Sequence, residues 1–165
     1  MPQVTIEYMI MIPLLIMQIF ILPFTAGLIV NGWADERRTL SLRETASNIG
    51  SSIEQLYLSF NHNSIATGTF INKLDVPSSI EGFTYTGNAT LRTVLDPALN
   101  SSKILDISLR FVGTSGEART SVILGQNVLW QNSTFMSNST FPSVQVKKYQ
   151  ENSGFALLFC FGGER

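Results

Sequence analysis

The chain begins with an almost unbroken apolar run, Ile6 to Val30, and then changes pattern twice. As an α-helix rising ~1.5 Å per residue, the run spans roughly 37 Å, against a bilayer hydrocarbon core of ~30 Å. It is long enough to cross a membrane with some tilt. Pro13 and Pro23 lie inside it. Each removes one backbone donor, a defect that membrane or bundled helices accommodate with a bend. Gly27 and Gly32 would let a neighbouring helix approach closely. The run is longer than the apolar part of an ordinary secretory signal, no small-residue cleavage pattern closes it, and no core of this size needs so long a rod.

Beyond Asp35 the pattern becomes periodic. Leu42, Ala46, Ile49, Ile53, Leu56 and Phe60 follow one another at spacings of 4, 3, 4, 3 and 4, which is one apolar stripe on a helix. Ser41, Arg43, Glu44, Ser47, Ser51 and Glu54 fall off the stripe. Gly50 costs roughly 1 kcal/mol relative to Ala in a helix interior, so the stripe must pack to hold it. Asn61-His62-Asn63-Ser64 reads as the helix end. A juxtamembrane linker over 35–60 is the alternative, and the regular period argues against it.

After about residue 66 the period falls to two. In Ile104–Val112, Leu105, Ile107, Leu109 and Phe111 alternate with Asp106, Ser108 and Arg110, the mark of a strand with one buried face. Thr69–Val76, Gly82–Leu95, Ala118–Leu124, Val128–Phe135, Val144–Tyr149 and Phe155–Phe161 are further strand candidates. Turn signals separate them, among them Pro77-Ser-Ser, Asp96-Pro97, Gly125-Gln-Asn127, Pro142 and Asn152-Ser-Gly154. Short strands at this spacing predict an antiparallel sheet or sandwich, one face covered by the helix stripe.

Charge sharpens the division. Among 165 residues only 14% are charged and the formal net charge is −1, so nothing points to a nucleic-acid partner. Before Asp35 the only charged side chain is Glu7. An ionisable group at the edge of an apolar span is costly unless it finds a partner or reaches the headgroups. The single cysteine, Cys160, excludes an internal disulfide, and it reads as a small buried hydrophobe within Phe155–Phe161. His62 is the one histidine, placed at a helix end.

Gln3-Val4-Thr5-Ile6-Glu7, with the apolar helix following at once, resembles the class III signal peptides of archaeal type IV pilins. The resemblance implies a cut between Pro2 and Gln3 by a prepilin peptidase. It also implies that Gln3 becomes the new N-terminus and that Glu7, four residues on, neutralises the terminal amine of a neighbouring subunit and sets its register. Snorkelling of Glu7 to the headgroups is the simpler alternative. Only Met1-Pro2 precede Gln3, where the family carries a basic leader. Either such a leader lies upstream or processing differs. Leu74–Tyr85 is loosely similar to segments of small archaeal secreted β domains.

Asn88-Ala-Thr, Asn100-Ser-Ser, Asn132-Ser-Thr and Asn138-Ser-Thr are N-glycosylation sequons. Each is expected at a strand edge or turn, and all fall in the β region. Used sequons require that region to lie outside the cytoplasm. Arg37, Arg38 and Arg43 pull the other way under the positive-inside rule, and the sequons are given precedence.

The expected fold is α+β and type IV pilin-like. Residues 1–2 are a leader remnant, 3–34 an apolar membrane or filament-core helix, 35–66 its amphipathic continuation and 67–165 an extracellular antiparallel β domain. No nucleotide loop, no Cys/His metal spacing and no Gly-x-Ser-x-Gly occurs. Asp75, Glu81, Asp96, Asp106 and Glu117 are scattered as on a solvated face. The expectation is therefore no enzyme, no cofactor and no metal. The implied function is a pilin for adhesion or motility, partnered first by membrane lipid and the pilus assembly machinery and then by copies of itself. A solitary membrane-anchored surface protein with a ligand-binding β domain is the competing reading.

Overall fold

The computed structural model describes residues 3–94, 102–151 and 154–162, with side chains from residue 9 onwards. The chain divides into two compact units, Met1–Arg37 and Arg38–Arg165. One α-helix, α1 (Gln3–Phe60), supplies the described part of the first unit and the opening segment of the second.

In the first unit α1 passes Pro13 and Pro23 without a break in its assignment. Every residue from Met9 to Trp33 is exposed. Thr25, a polar residue inside the run, is satisfied within the helix. Its hydroxyl donates to the carbonyls of Ile21 at 2.9 Å and Leu22 at 3.0 Å, a local bond open to Ser and Thr in helices. The helix is long and apolar enough to cross a membrane.

In the second unit the strands are β1 (Gly68–Lys73), β2 (Tyr85–Thr93), β3 (Lys103–Phe111), β4 (Glu117–Leu124), β5 (Val128–Trp130), β6 (Thr134–Met136), β7 (Ser143–Glu151) and β8 (Gly154–Phe161). They form two four-stranded sheets, ordered β1-β7-β8-β5 and β4-β3-β2-β6. The alternation in β3 reads directly into burial: Leu105, Ile107 and Leu109 are fully buried and Arg110 is exposed.

The helical stripe enters the same core. Leu42, Ala46, Ile49 and Ile53 are buried, with Leu56 and Phe60 partly buried against them. Burying each Leu or Ile contributes about 1.5–3 kcal/mol, enough to outweigh the propensity cost of Gly50. That glycine has a packing reason. A methyl group there would lie 3.0 Å from Cγ2 of Val122 and 3.4 Å from Cγ2 of Thr120, so the bare backbone lets the helix lie close on β4. The two sheets meet through aromatic rings. Phe161 of β8 packs edge-on against Phe135 of β6 in the other sheet at 5.0 Å, and against Trp130 of β5 in its own sheet at 4.9 Å.

Three strand readings need correction. Val128–Phe135 is not one strand. It breaks at Gln131–Ser133 into β5 and β6, which belong to different sheets. The sheets are not wholly antiparallel, because β5 pairs parallel to β8: between them the chain visits the other sheet as β6 and returns through β7. The strand expected from Gly82 starts at Tyr85. Ahead of it Ile80 and Phe83 bridge across a tight turn in which Glu81 and Gly82 take φ of 48° and 83°. Asp96, Pro97 and the start of Asn152-Ser-Gly154 lie outside the described residues.

Candidate functional site: a bare apolar helix and surface sequons

The helix positions the residues expected to govern assembly. Gln3 is the first residue of α1 and Glu7 follows one turn later, so their Cα atoms are separated by about 6 Å along the axis. Pro2 lies outside the described residues. Downstream, Leu28 is 59% exposed, Phe24 69% and Trp33 69%, and nothing lies within 4 Å of a methyl group built on Gly27 or Gly32.

Asn88, Asn132 and Asn138 are all exposed, and so are the threonines that complete their sequons, Thr90, Thr134 and Thr140. Asn138 sits in the turn after β6, where the amide of Ser139 donates to the carbonyl of Met136 at 3.0 Å. Asn132 lies in the break between β5 and β6. Asn88 departs from the expectation of an edge or turn position. It lies inside β2, paired to Ser108 on one side and Thr134 on the other. Its side chain is exposed because Tyr85, Gly87 and Ala89 take the inward positions of the pleat. Asn100 lies outside the described residues.

The outer face of the β4-β3-β2-β6 sheet is polar and laced with charge pairs. Arg92 reaches Asp106 at 2.5 Å and Arg119 reaches Glu117 at 2.7 Å. The Ser121 hydroxyl donates to Asp106 at 2.6 Å. That bond is the largest cause holding the Asp106 carboxyl below the usual carboxylate range; burial opposes it, and the hydrogen bond and charge of Arg92 add to it. Arg119 does the same for Glu117. Arg92, Asp106, Arg119 and Ser121 border a shallow depression of about 460 Å³ together with Thr90, Ile107 and Ser108. Glu81 pairs with Arg38 at 3.0 Å. Asp106, Glu117 and Glu81 each pair with a different arginine, and the charge of Arg119 acts on Asp106 as well as on Glu117. Among the described residues no group of three or more His, Cys, Asp or Glu side chains is placed to hold a metal ion.

Cys160 is half-buried, not buried. Leu157, Phe159 and Phe161 take the inward positions of β8, so Cys160 falls on the other face, its Sγ 3.5 Å from Oε1 of Gln145. His62 is exposed, but its carbonyl and that of Phe60 accept from the ammonium of Lys148, which is 3% exposed. Lys148 was not singled out by the sequence. The alternation Val144, Val146, Lys148 would have placed it on the inward face of β7. Ser137 was missed too. Its hydroxyl donates to Ser78 at 2.8 Å and accepts from the amide of Tyr85 at 3.0 Å, tying the segment before β2 to the turn after β6.

Comparisons with protein-family models, with curated proteins and with solved structures find no match to this chain.

Proposed function

We propose that this chain is a structural subunit of a type IV pilus-like surface filament of the archaeal kind. It inserts in the membrane through the apolar part of α1 and then polymerises through the same helix. The observation that supports the reading most is one helix with two demands. Its apolar part, Met9–Trp33, is long and apolar enough to cross a membrane. Its later part buries a stripe beneath two sheets. A simple anchor needs only enough length to cross a bilayer. The Gln3…Glu7 spacing ahead of the apolar run is what favours a polymer over an anchor.

Assembly of such helices gains little hydrophobic free energy, because lipid tails are as apolar as a bundle. Association then depends on close packing, for which Gly27 and Gly32 leave room, and on specific polar contacts such as Glu7 with a neighbour's terminal amine. An unpaired amine in that setting is expensive, and a carboxylate from the adjacent copy removes the cost. The β unit would form the outer wall, where its low charge limits repulsion between many copies.

Electron microscopy of cell-surface filaments, with peptide identification and N-terminal mass spectrometry, tests the proposal. Filaments built of a chain beginning at Gln3 support it. A solitary chain in the bilayer that begins at Met1 overturns it in favour of the anchored surface protein.

A further inference from the structure

Thr120 to Val146 contains no charged side chain. This stretch includes β6, an edge strand of its sheet, paired to β2 on one side only. An edge strand offers unpaired backbone groups to any other strand, and proteins ordinarily blunt such edges with charge, proline or a cover. At the opposite edge, β4 carries Glu117 and Arg119 on its exposed face. β6 has no such charge, and within it Met136 is 47% exposed.

The sequons fall where the charge is missing. Asn132 lies two residues before the start of β6 and Asn138 two residues after its end. Asn88, on β2, stands directly opposite Thr134, the first residue of β6. Cross-strand neighbours lie about 5 Å apart and residues two apart on a strand under about 7 Å. All three acceptors therefore lie around one short strand: Asn132 and Asn138 flank its two ends, and Asn88 stands on its paired side. None of the three asparagine side chains is engaged in a hydrogen bond with another described residue.

We infer that Asn88, Asn132 and Asn138 are N-glycosylated and that their glycans together shield the β6 edge, doing there what charge does at β4. In each transfer, Nδ2 of the asparagine forms a bond to the anomeric carbon of a polyprenyl-phosphate-linked oligosaccharide. The bond from that carbon to the phosphate oxygen breaks, the lipid phosphate leaves with the electron pair, and the amide gives up one proton. No redox change is involved. The inference rests on the extracytoplasmic side of the proposed topology and not on polymerisation.

The test is site-resolved mass spectrometry of the full chain from its native host, followed by variants. Glycan mass is expected on all three asparagines. The Asn132→Gln/Asn138→Gln double variant should lose two glycans, keep its melting temperature and show a several-fold rise in the fraction pelleted as aggregates or laterally bundled filaments. Thr134→Ala with Thr140→Ala removes the same sequons by another route and should agree. Adding Thr134→Lys to the double asparagine variant should restore dispersion. Bare Asn132 and Asn138 in the native protein, or a double variant as dispersed as the parent, overturns the inference. The filament reading fails separately, by a glycosylated chain that never polymerises.

Discussion

The ammonium of Lys148 donates to the carbonyl of Phe60 at 3.1 Å, from an interior strand of one sheet to the end of the long helix. It also donates to the carbonyl of His62, and the ring of Phe155 lies 4.1 Å from the nitrogen. The last carbonyls of a helix have no intrahelical partner and carry partial negative charge. The last turn of α1 has no basic residue, so the cation comes from across the fold. Replacing Lys148 with Met removes the donor that these partly buried carbonyls share, leaving that of His62 only the amide of Ile65 at 3.3 Å. The expected loss is about 2–3 kcal/mol, read from the denaturant midpoint of the detergent-solubilised chain. Lys148→Arg should recover part of it. A Met variant as stable as the parent would show that the carbonyls find water.

Gly87 and Phe135 form a second long-range pair. A methyl group on Gly87 would overlap the ring of Phe135, which is buried and packed edge-on against Tyr85 and Phe161. Gly87→Ala should therefore destabilise by about 1–3 kcal/mol, the usual cost of overpacking a core. Phe135→Leu alone should also destabilise. The two together should cost less than their sum, since the smaller side chain leaves room for the methyl group. Strict additivity in a double-mutant cycle would disprove the contact.

Tyr85 is fully buried, and its hydroxyl donates to the carbonyl of Pro77 at 2.7 Å. Burial raises its pKa from the ordinary 10.0 to about 12. The sign follows from proton counting. Between these two values the folded chain keeps the phenol proton and the unfolded chain has lost it, so stability falls as pH rises. The fall attributable to this group is about 3 kcal/mol across the window. Tyr85→Phe should cost about 1 kcal/mol at neutral pH through the lost hydrogen bond, and then resist the alkaline loss. The stability order of parent and variant is expected to invert before pH 12 in denaturation curves taken from pH 8 upwards.

Asp106 has the opposite dependence, and a small one. Its pKa is lowered, so its contribution is present above the ordinary carboxylate pKa and is lost as pH falls through the depressed value. Its side chain is 33% exposed and that of Arg92 60%, and solvent screening keeps such a pair below about 1 kcal/mol. Asp106→Asn should shift the midpoint by less than that at pH 7, and by progressively less as pH falls through the depressed value. A larger shift at neutral pH would mean that Ser121 and Arg92 are coupled more tightly than exposed pairs usually are.

On the proposed function, Glu7→Ala should abolish filament assembly and leave membrane insertion intact, because insertion would depend on the apolar run and register on the carboxylate. Glu7→Gln, which keeps the size and loses the charge, should also fail to assemble if neutralising an amine is the role of Glu7. Carbonate extraction of membranes reads insertion, and filament yield reads assembly. Normal filaments from both variants would remove the proposed role.

Periodicity along the chain determined which residues go inside. A helix turns every 3.6 residues and a strand alternates every two. The stripe Leu42, Ala46, Ile49, Ile53 and the row Leu105, Ile107, Leu109 were therefore visible before any contact was known. The apolar run from Met9 to Trp33 was equally visible as a helix long and apolar enough to cross a membrane. Only the tertiary structure decided what meets what. It split 128–135 between two sheets, turned β5 parallel to β8, and brought Lys148 to the end of α1. It placed Phe135 over Gly87 and gathered three sequons around one short strand. Each of these depends on residues far apart in sequence becoming neighbours, and the pairing of distant strands leaves no trace in a local pattern of apolar and polar positions.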